Sequence, residues 1–237
     1  MILSRGRSNN VKTTNILPDF IPIVAPESEK KLYEANYSNP IITIPDEEKG
    51  LGNVRNWCIK NLQENTIIML DDDITACCCL SHERTVNIKD PEEVLQILIN
   101  TAVMAQDLGV KVFGFNQTDI RKYNGCEPFN LNTWVGGVIG VIGKNRYFRK
   151  DYFKVDIDYC LKSLMVERIM FQNTMYLFRQ SRDTNKGGNA MFRTEKDYNK
   201  SVETLKEKWG DALRVRKHKS QIKITLNCPR RQKIEYD

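Results

Sequence analysis

The sequence predicts an α/β fold, with a mainly parallel central sheet and helices on both faces. Short apolar runs bounded by proline or glycine alternate with helical stretches through the first half of the chain. Two of these runs, at 67–70 and 134–143, have the composition of strands buried on both sides. The 237 residues contain no internal repeat or low-complexity linker, so one domain is expected over 1–237. Within it, 1–116 and 117–237 are read as two halves, the second with a basic C-terminal segment.

The elements follow in order. Phe20–Ala25 and Pro40–Pro45 read as strands, and "ESEKKLYEAN" between them has helical composition. After Gly50 and Gly52, residues 54–64 place Val54, Trp57, Cys58 and Leu62 on one helical face. Thr66–Leu70 is a strand. Asp90 and Pro91 sit where a cap and first helical residue belong, opening a helix that ends at Gly109. Val110–Asn116 is another strand. Beyond it, Trp134–Gly143 reads as a strand, "DYCLKSLMVERIMFQN" as a helix, and Arg179–Arg193 as a polar loop. "EKDYNKSVETLKEKWG" is a late helix, and "RVRKHKSQIKITL" alternates like a single strand.

Composition narrows the possibilities. No apolar run approaches the ~20 residues of a membrane span, and "MILSRGRSNN" lacks the apolar core of a secretory signal. A cytoplasmic location with no membrane partner is expected. Seven cysteines, three of them adjacent at 77–79, have no framework spacing, so they read as reduced, buried thiols. With only His82 and His218 available, a zinc cage is the weaker reading. The formal charge is +6, and between Arg214 and Lys233 there are eight Lys or Arg and no acid. "KNRYFRKDYFK" interleaves basic and aromatic residues. Such stretches suit a polyanion such as nucleic acid, or form a solvated basic face.

The chemistry is written most densely in "TIIMLDDDI". Three carboxylates, Asp71, Asp72 and Asp73, follow an apolar strand, at the end where open sheets bind ligands. On an extended chain Asp71 and Asp73 share one side and Asp72 points the other way. Two like charges that close call for a cation, and Mn²⁺ or Mg²⁺ with oxygen ligands is the usual answer. A helix cap or a solvated acid cluster is the alternative.

These stretches resemble the motifs of nucleotide-sugar glycosyltransferases of the GT-A fold. "IIMLDDDI" looks like their Asp-x-Asp motif, and "LSRGRS" resembles their first strand and nucleotide loop. "GLGNVRNWCIK" is similar to the helix start that holds the nucleotide-sugar. "KVDIDYCLKSL" looks like the later acidic motif, with Val155 where Glu often stands and Asp156 matching the Asp. The matches span positions 3 to about 161. Their combination is most like the TET-associated glycosyltransferases, largely bacteriophage enzymes that glycosylate hydroxymethylpyrimidines in DNA.

The resemblance implies roles, with 1–116 as the nucleotide-sugar-binding half and 117–237 as the acceptor-binding half. Ser4, Arg5 and Arg7 would line the nucleotide loop, unless the arginines are ordinary surface residues. Arg55 and Asn56 would offer a planar donor fork and an amide to diphosphate or ribose oxygens. Asp71 would face ribose or metal, Asp72 the nucleotide, and Asp73 the metal, with His218 completing its shell or simply solvated among lysines. Trp134, Gly136 and Gly137 would lie under the sugar and acceptor, with core packing explaining Trp134 nearly as well. Asp156, with Asp158 second, would be the general base of an inverting displacement, while both also suit a helix N-terminus. The donor expected is a UDP-sugar such as UDP-glucose or UDP-GlcNAc, and the acceptor modified DNA. The 179–193 loop is expected to order over the donor.

Three rival activities remain. An enzyme acting on glycans or lipid-linked acceptors would carry an amphipathic membrane-binding segment, and none is evident. A sugar-phosphate nucleotidyltransferase would carry a glycine-rich N-terminal loop, where "SRGRSNN" has one glycine. A non-catalytic nucleic-acid-binding protein would leave the aspartates without a purpose.

Overall fold

The structure, a computed structural model, describes residues 1–82, 84–116, 128–150, 154–181, 195–218 and 221–227. Their elements run β1 (Ile2–Leu3), β2 (Ile23–Pro26), α1 (Lys30–Glu34), β3 (Ile41–Ile44), α2 (Leu51–Asn61) and β4 (Thr66–Asp71). They continue with β5 (Ile74–Ser81), β6 (Arg84–Ile88), α3 (Pro91–Asp107), β7 (Val112–Asn116), β8 (Phe129–Asn130) and β9 (Val138–Ile142). The last are α4 (Val155–Glu167), β10 (Phe171–Gln180), α5 (Glu195–Trp209), β11 (Leu213–His218) and β12 (Gln221–Leu226).

The main sheet has the order β3-β2-β1-β4-β9-β7-β10-β5-β6, with β8 on β10. β3, β2, β1 and β4 pair in parallel, as do β7 and β10. β9 lies antiparallel between β4 and β7, and β5 antiparallel between β10 and β6. The sheet is therefore mixed around a parallel core. β1, β4, β7 and β10 all point the same way, so their carboxyl ends collect on one edge. Strands from either side of residue 116 alternate along the sheet.

Alternation along the strands places helices on both faces. Leu3, Val24, Ile67 and Met69 join Val54 and Cys58 of α2 and Tyr159 and Leu164 of α4. Their neighbours Ile2, Ile23, Ala25 and Leu70 turn to Tyr33 of α1 and Val94, Ile97 and Leu98 of α3. One residue of phase thus sorts two apolar cores from one strand. α3 begins as expected: the Asp90 side chain accepts from Glu92 N at 3.0 Å, with Pro91 in the first turn. Gly109 follows at φ 68°.

Three expectations fail. The helix read through Asn173 stops at Glu167, where Arg168 takes a left-handed conformation (φ 64°) and the chain enters β10. β5 and β6 were not anticipated. The basic tail is a hairpin, β11 with β12, rather than one strand. Its inward Leu213 and Ile224 pack on α4 and α5, while Arg214 and Arg216 are exposed.

The described cysteines are free thiols, and Cys58, Cys77, Cys78 and Cys160 are buried. Burial pushes the Cys58 and Cys160 thiols up to about 12, so both stay protonated at neutral pH. Cys126 and Cys228 lie outside the described residues. No described helix is long and apolar enough to cross a membrane.

Candidate active site

The aspartates occupy the turn that leaves β4 at the carboxyl edge of the sheet. Backbone bonds fix that turn from every side. Asp71 N donates to Gly137 O at 2.8 Å, and Ser181 N to Asp73 O at 3.0 Å. Lys12 N donates to Asp72 O at 2.9 Å, and Thr13 Oγ1 to Asp71 O at 2.6 Å. Ile74 N closes the set by donating to Thr13 Oγ1 at 3.1 Å. The 12–16 3₁₀ turn therefore clamps the acids from one side and the end of β10 from the other.

Asp72 turns away from its neighbours. It accepts from Ser4 Oγ at 2.7 Å and forms an ion pair with Arg7, and Tyr33 OH donates onward to Ser4 Oγ at 2.8 Å. Ser4, Arg7 and Asp72 thus make one buried polar chain at the end of β1. Arg5 instead donates to Asp46 O at 3.3 Å and Glu48 O at 3.1 Å, tying down the loop before α2.

Asp71 faces a different partner. Arg55 of α2 is completely buried; its guanidinium donates to Asp71 Oδ1 at 3.3 Å and pairs with Asp156 Oδ1 at the start of α4. The guanidinium carbon lies 5.2 Å from the centroid of Phe148, whose ring stacks on Tyr159 at 3.9 Å. The sequence separates Arg55 from Asp156 by 101 positions, and the packing of α2 on α4 joins them. The side chains of Asp71 and Asp156 keep 28% and 22% exposure, so both remain reachable. Burial pushes the Asp71 carboxyl up to about 7 against the pull of Arg55, with Asp73, Asp156 and Asp72 adding repulsion. One arginine does not neutralise this cluster.

Asn56 has another task. Its Nδ2 donates to Phe148 O at 2.9 Å and its Oδ1 accepts from Phe148 N at 2.7 Å, so both ends of the amide engage that backbone. The expected ligand contact gives way to a clamp that holds the Phe148 ring under Arg55. Asp158 is likewise reassigned. It is fully buried and accepts from Lys208 Nζ at 2.6 Å and Trp209 Nε1 at 2.9 Å, with Lys162 Nζ at 2.9 Å. It joins α4 to the end of α5, out of reach of a substrate.

Burial would raise the Asp158 carboxyl, but the bonds from Lys208, Lys162 and Trp209 hold it below the usual carboxylate range. A depressed carboxyl lends stability that is present above its unfolded pKa and is lost as pH falls through its folded one. Asp158→Asn is therefore expected to cost about 2 kcal/mol at pH 7, reduced from the buried-pair range because both lysines are partly exposed. The gap from the unsubstituted chain should narrow below about pH 4. Urea melts across pH 3–7 check this; a constant gap would show that the lysine contacts carry no charge term.

Gly136 and Gly137 lie beside the acids, and Gly137 (φ 69°) makes room for Gln180, where a Cβ would come 2.6 Å from Nε2. Gln180, absent from the sequence-based candidates, donates through Nε2 to Asp71 Oδ2 at 3.1 Å and Asp73 Oδ1 at 3.3 Å. Trp134 packs between the α2–α4 core and the α5–β11 cluster, as core packing predicts. His218 is the last residue of β11, and its side chain lies outside the described set, as do Tyr152, Phe153 and residues 182–193 of the expected donor loop. The basic–aromatic run is largely spent internally: Lys144 bonds Leu62 O, and Arg146 pairs with Glu167.

Among the described residues, no group of three or more His, Cys, Asp or Glu converges as a metal cage. The chemistry of Asp71 and Asp73 nevertheless fits a hard divalent cation. Mg²⁺ and Mn²⁺ are commonly held by one or two carboxylates, with substrate phosphates completing the shell. Asp73 crowds Asp71, and the one buried guanidinium at Asp71 is shared with Asp156, so the site is still short of positive charge.

No curated protein matches the chain significantly. Among solved structures, TarS (residues 1–349) of S. aureus in complex with UDP-GlcNAc aligns at 12% identity and a TM-score of 0.48. The alignment covers 86% of this chain and 65% of that one, so the chain spans just under two thirds of TarS 1–349. A CMP:2-keto-3-deoxy-manno-octonic acid synthetase complexed with CTP aligns at 11% identity and a TM-score of 0.37, over 87% of this chain and 95% of that one. The inositol-1-phosphate CTP transferase of T. maritima aligns at 12% identity and 0.37, over 87% and 94%. A family model matches residues 1–188, a stretch that holds Ser4, Arg55, the three aspartates, Asp156 and Gln180. The chain belongs to the TET-associated glycosyltransferase family.

Proposed function

We propose that the protein transfers the sugar of a UDP-sugar, such as UDP-glucose or UDP-GlcNAc, to the hydroxyl of a hydroxymethylpyrimidine in DNA. The observation that carries this reading is the Asp71–Arg55–Asp156 arrangement. It brings an acid of the strand-end turn and the acid of the α4 start to one buried cation, at the carboxyl edge where an α/β sheet takes its ligand. Family membership supports the transfer, and with the exposed Arg214 and Arg216 it supports a nucleic-acid acceptor.

Asp71 and Asp73 would hold Mn²⁺ or Mg²⁺, which when bound neutralises charge on the departing diphosphate. Arg55 orients Asp71 toward the donor and Asp156 toward the acceptor, and its positive charge stabilises both ionised acids in a crowded site. Asp156 Oδ1 accepts from Arg55; no described residue bonds its Oδ2, which accepts the proton of the attacking hydroxyl. The hydroxyl oxygen then bonds to the anomeric carbon as the bond to the diphosphate breaks, in one displacement with inversion. Ser4, Arg7 and Asp72 shape the nucleotide side, and Gly136 allows the sugar to approach the backbone, while the space at Gly137 is taken by Gln180.

The test is a panel of nucleotide sugars with Mn²⁺ and three DNAs, containing hydroxymethylcytosine, hydroxymethyluracil or neither. A mass gain of one sugar on modified DNA alone is expected. Asp73→Ala should abolish it, while Asp156→Asn should lower turnover by roughly 10²–10⁴ and leave donor binding intact. Donor hydrolysis with no sugar on any DNA would refute the acceptor, and full activity in Asp156→Asn would refute the base.

A further inference from the structure

Gln180 has a position that the proposed chemistry does not yet use. It is the last residue of β10, and the β10–β5 register shifts between Arg179 and Gln180. Irregularities of this kind re-aim a side chain, and here the amide is delivered between two carboxylates. Nε2 lies 3.1 Å from Asp71 Oδ2 and 3.3 Å from Asp73 Oδ1. The next residue is anchored too, because Ser181 N and Oγ both donate to Asp73 O, at 3.0 and 3.2 Å. On the other side Gly137 leaves the space that the amide fills; a Cβ there would come 2.6 Å from Nε2 and 3.0 Å from Oε1. Strand end, anchor and glycine together place one amide at the point where the two acids converge.

An N–H donor between two carboxylates occupies the place a cation would take. A divalent cation there repels an N–H and attracts a carbonyl oxygen. Rotation about the last side-chain torsion of glutamine is soft, so the two amide atoms can exchange places without moving the backbone. We propose that Gln180 is a third protein ligand for the cation: Nε2 holds Asp71 and Asp73 together in the metal-free protein, and turning the amide over presents Oε1 to the metal. This rests on the reading of Asp71 and Asp73 as metal ligands. It gives the site two charged oxygens and one neutral oxygen, leaving positions for diphosphate. It also makes the end of β10 a direct partner of the donor's metal.

The experiment is Mn²⁺ titration of the full chain without donor, followed by the electron paramagnetic resonance of free Mn²⁺. The unsubstituted chain should bind, and Asp73→Ala should not. Gln180→Met keeps the side-chain length and removes the oxygen; it should weaken binding about tenfold. Gln180→Glu, which adds a charged oxygen, should bind at least as tightly as glutamine. Melting curves show whether each variant is folded, and Gln180→Ala repeats the test should the methionine distort the turn. If Gln180→Met or Gln180→Ala bound Mn²⁺ as well as or better than the unsubstituted chain, glutamine would be a spacer or competitor and the proposal would fall alone. Absence of binding by the unsubstituted chain, or binding retained in Asp73→Ala, would overturn the metal reading itself and Gln180 with it.

Discussion

Arg55→Met is expected to lose about three orders of magnitude in sugar transfer and to melt several degrees lower. Two effects combine. The first is stability: Arg55 is completely buried, and removing it leaves Asp71 and Asp156 without their shared counter-charge. Breaking a buried pair costs about 3–5 kcal/mol, but both acids retain about a quarter of their exposure, so solvent repays part and a cost of about 2 kcal/mol is expected. The second effect is catalytic: without the fork, the two acids repel and lose their common orientation. Misplacement by ~1 Å costs about 10², and loss of a preorganised donor a further 10 or more. Arg55→Lys separates the two. A single ammonium restores charge but does not span both acids, so it should recover much of the melting temperature and little of the rate. Thermal melts and single-turnover transfer, run on both variants, make the comparison. Transfer within tenfold of the unsubstituted enzyme in Arg55→Met would mean that the Asp71–Asp156 link is incidental to catalysis.

The parts of this site readable from the chain are those that depend on near neighbours. The apolar run into Asp71 marks β4, and strand alternation separates Asp71 and Asp73 from Asp72, as the Ser4 and Arg7 contacts confirm for Asp72. The Asp90–Pro91 start of α3 is equally local. What escaped depends on distance or on position within the sheet. "FQNTMYLFRQ" has neither clean alternation nor an apolar run, because β10 is covered on both faces at its start and breaks register with β7 and β5. Its first residues therefore extended a helical pattern, and Gln180 fell in the polar 179–193 stretch read as a loop. Asn56 and Asp158 looked like ligand and base because their residue types suit those roles. Only the packing reveals that Asn56 holds Phe148 and that Asp158 is enclosed by Lys162, Lys208 and Trp209.

The same dependence on packing makes Gly52→Ala the second large effect. Helix propensity favours alanine over glycine by about 1 kcal/mol in a helix interior, and by less at position 52, the second residue of α2. Position 52, however, faces the chain leading into α4. A Cβ there would overlap the carbonyl oxygen of Arg149 and come within 3.4 Å of Val155 Cγ1. The obstacle is backbone, and it cannot swing aside as a side chain could. Relief requires α2 to move away from the start of α4, and overpacking of this kind costs about 1–3 kcal/mol. The clash therefore outweighs the propensity gain, and a net loss of about 1–2 kcal/mol is expected. The same displacement pulls Arg55, one turn further along α2, from Asp156, the second residue of α4, so turnover should fall about 10²-fold while the nucleotide binding proposed for Ser4, Arg7 and Asp72 changes little. Melting curves, nucleotide titration and turnover on one preparation distinguish the outcomes. A more stable Gly52→Ala chain with normal turnover would show that α2 and α4 tolerate separation, and that the glycine serves neither the packing nor the Arg55–Asp156 pair.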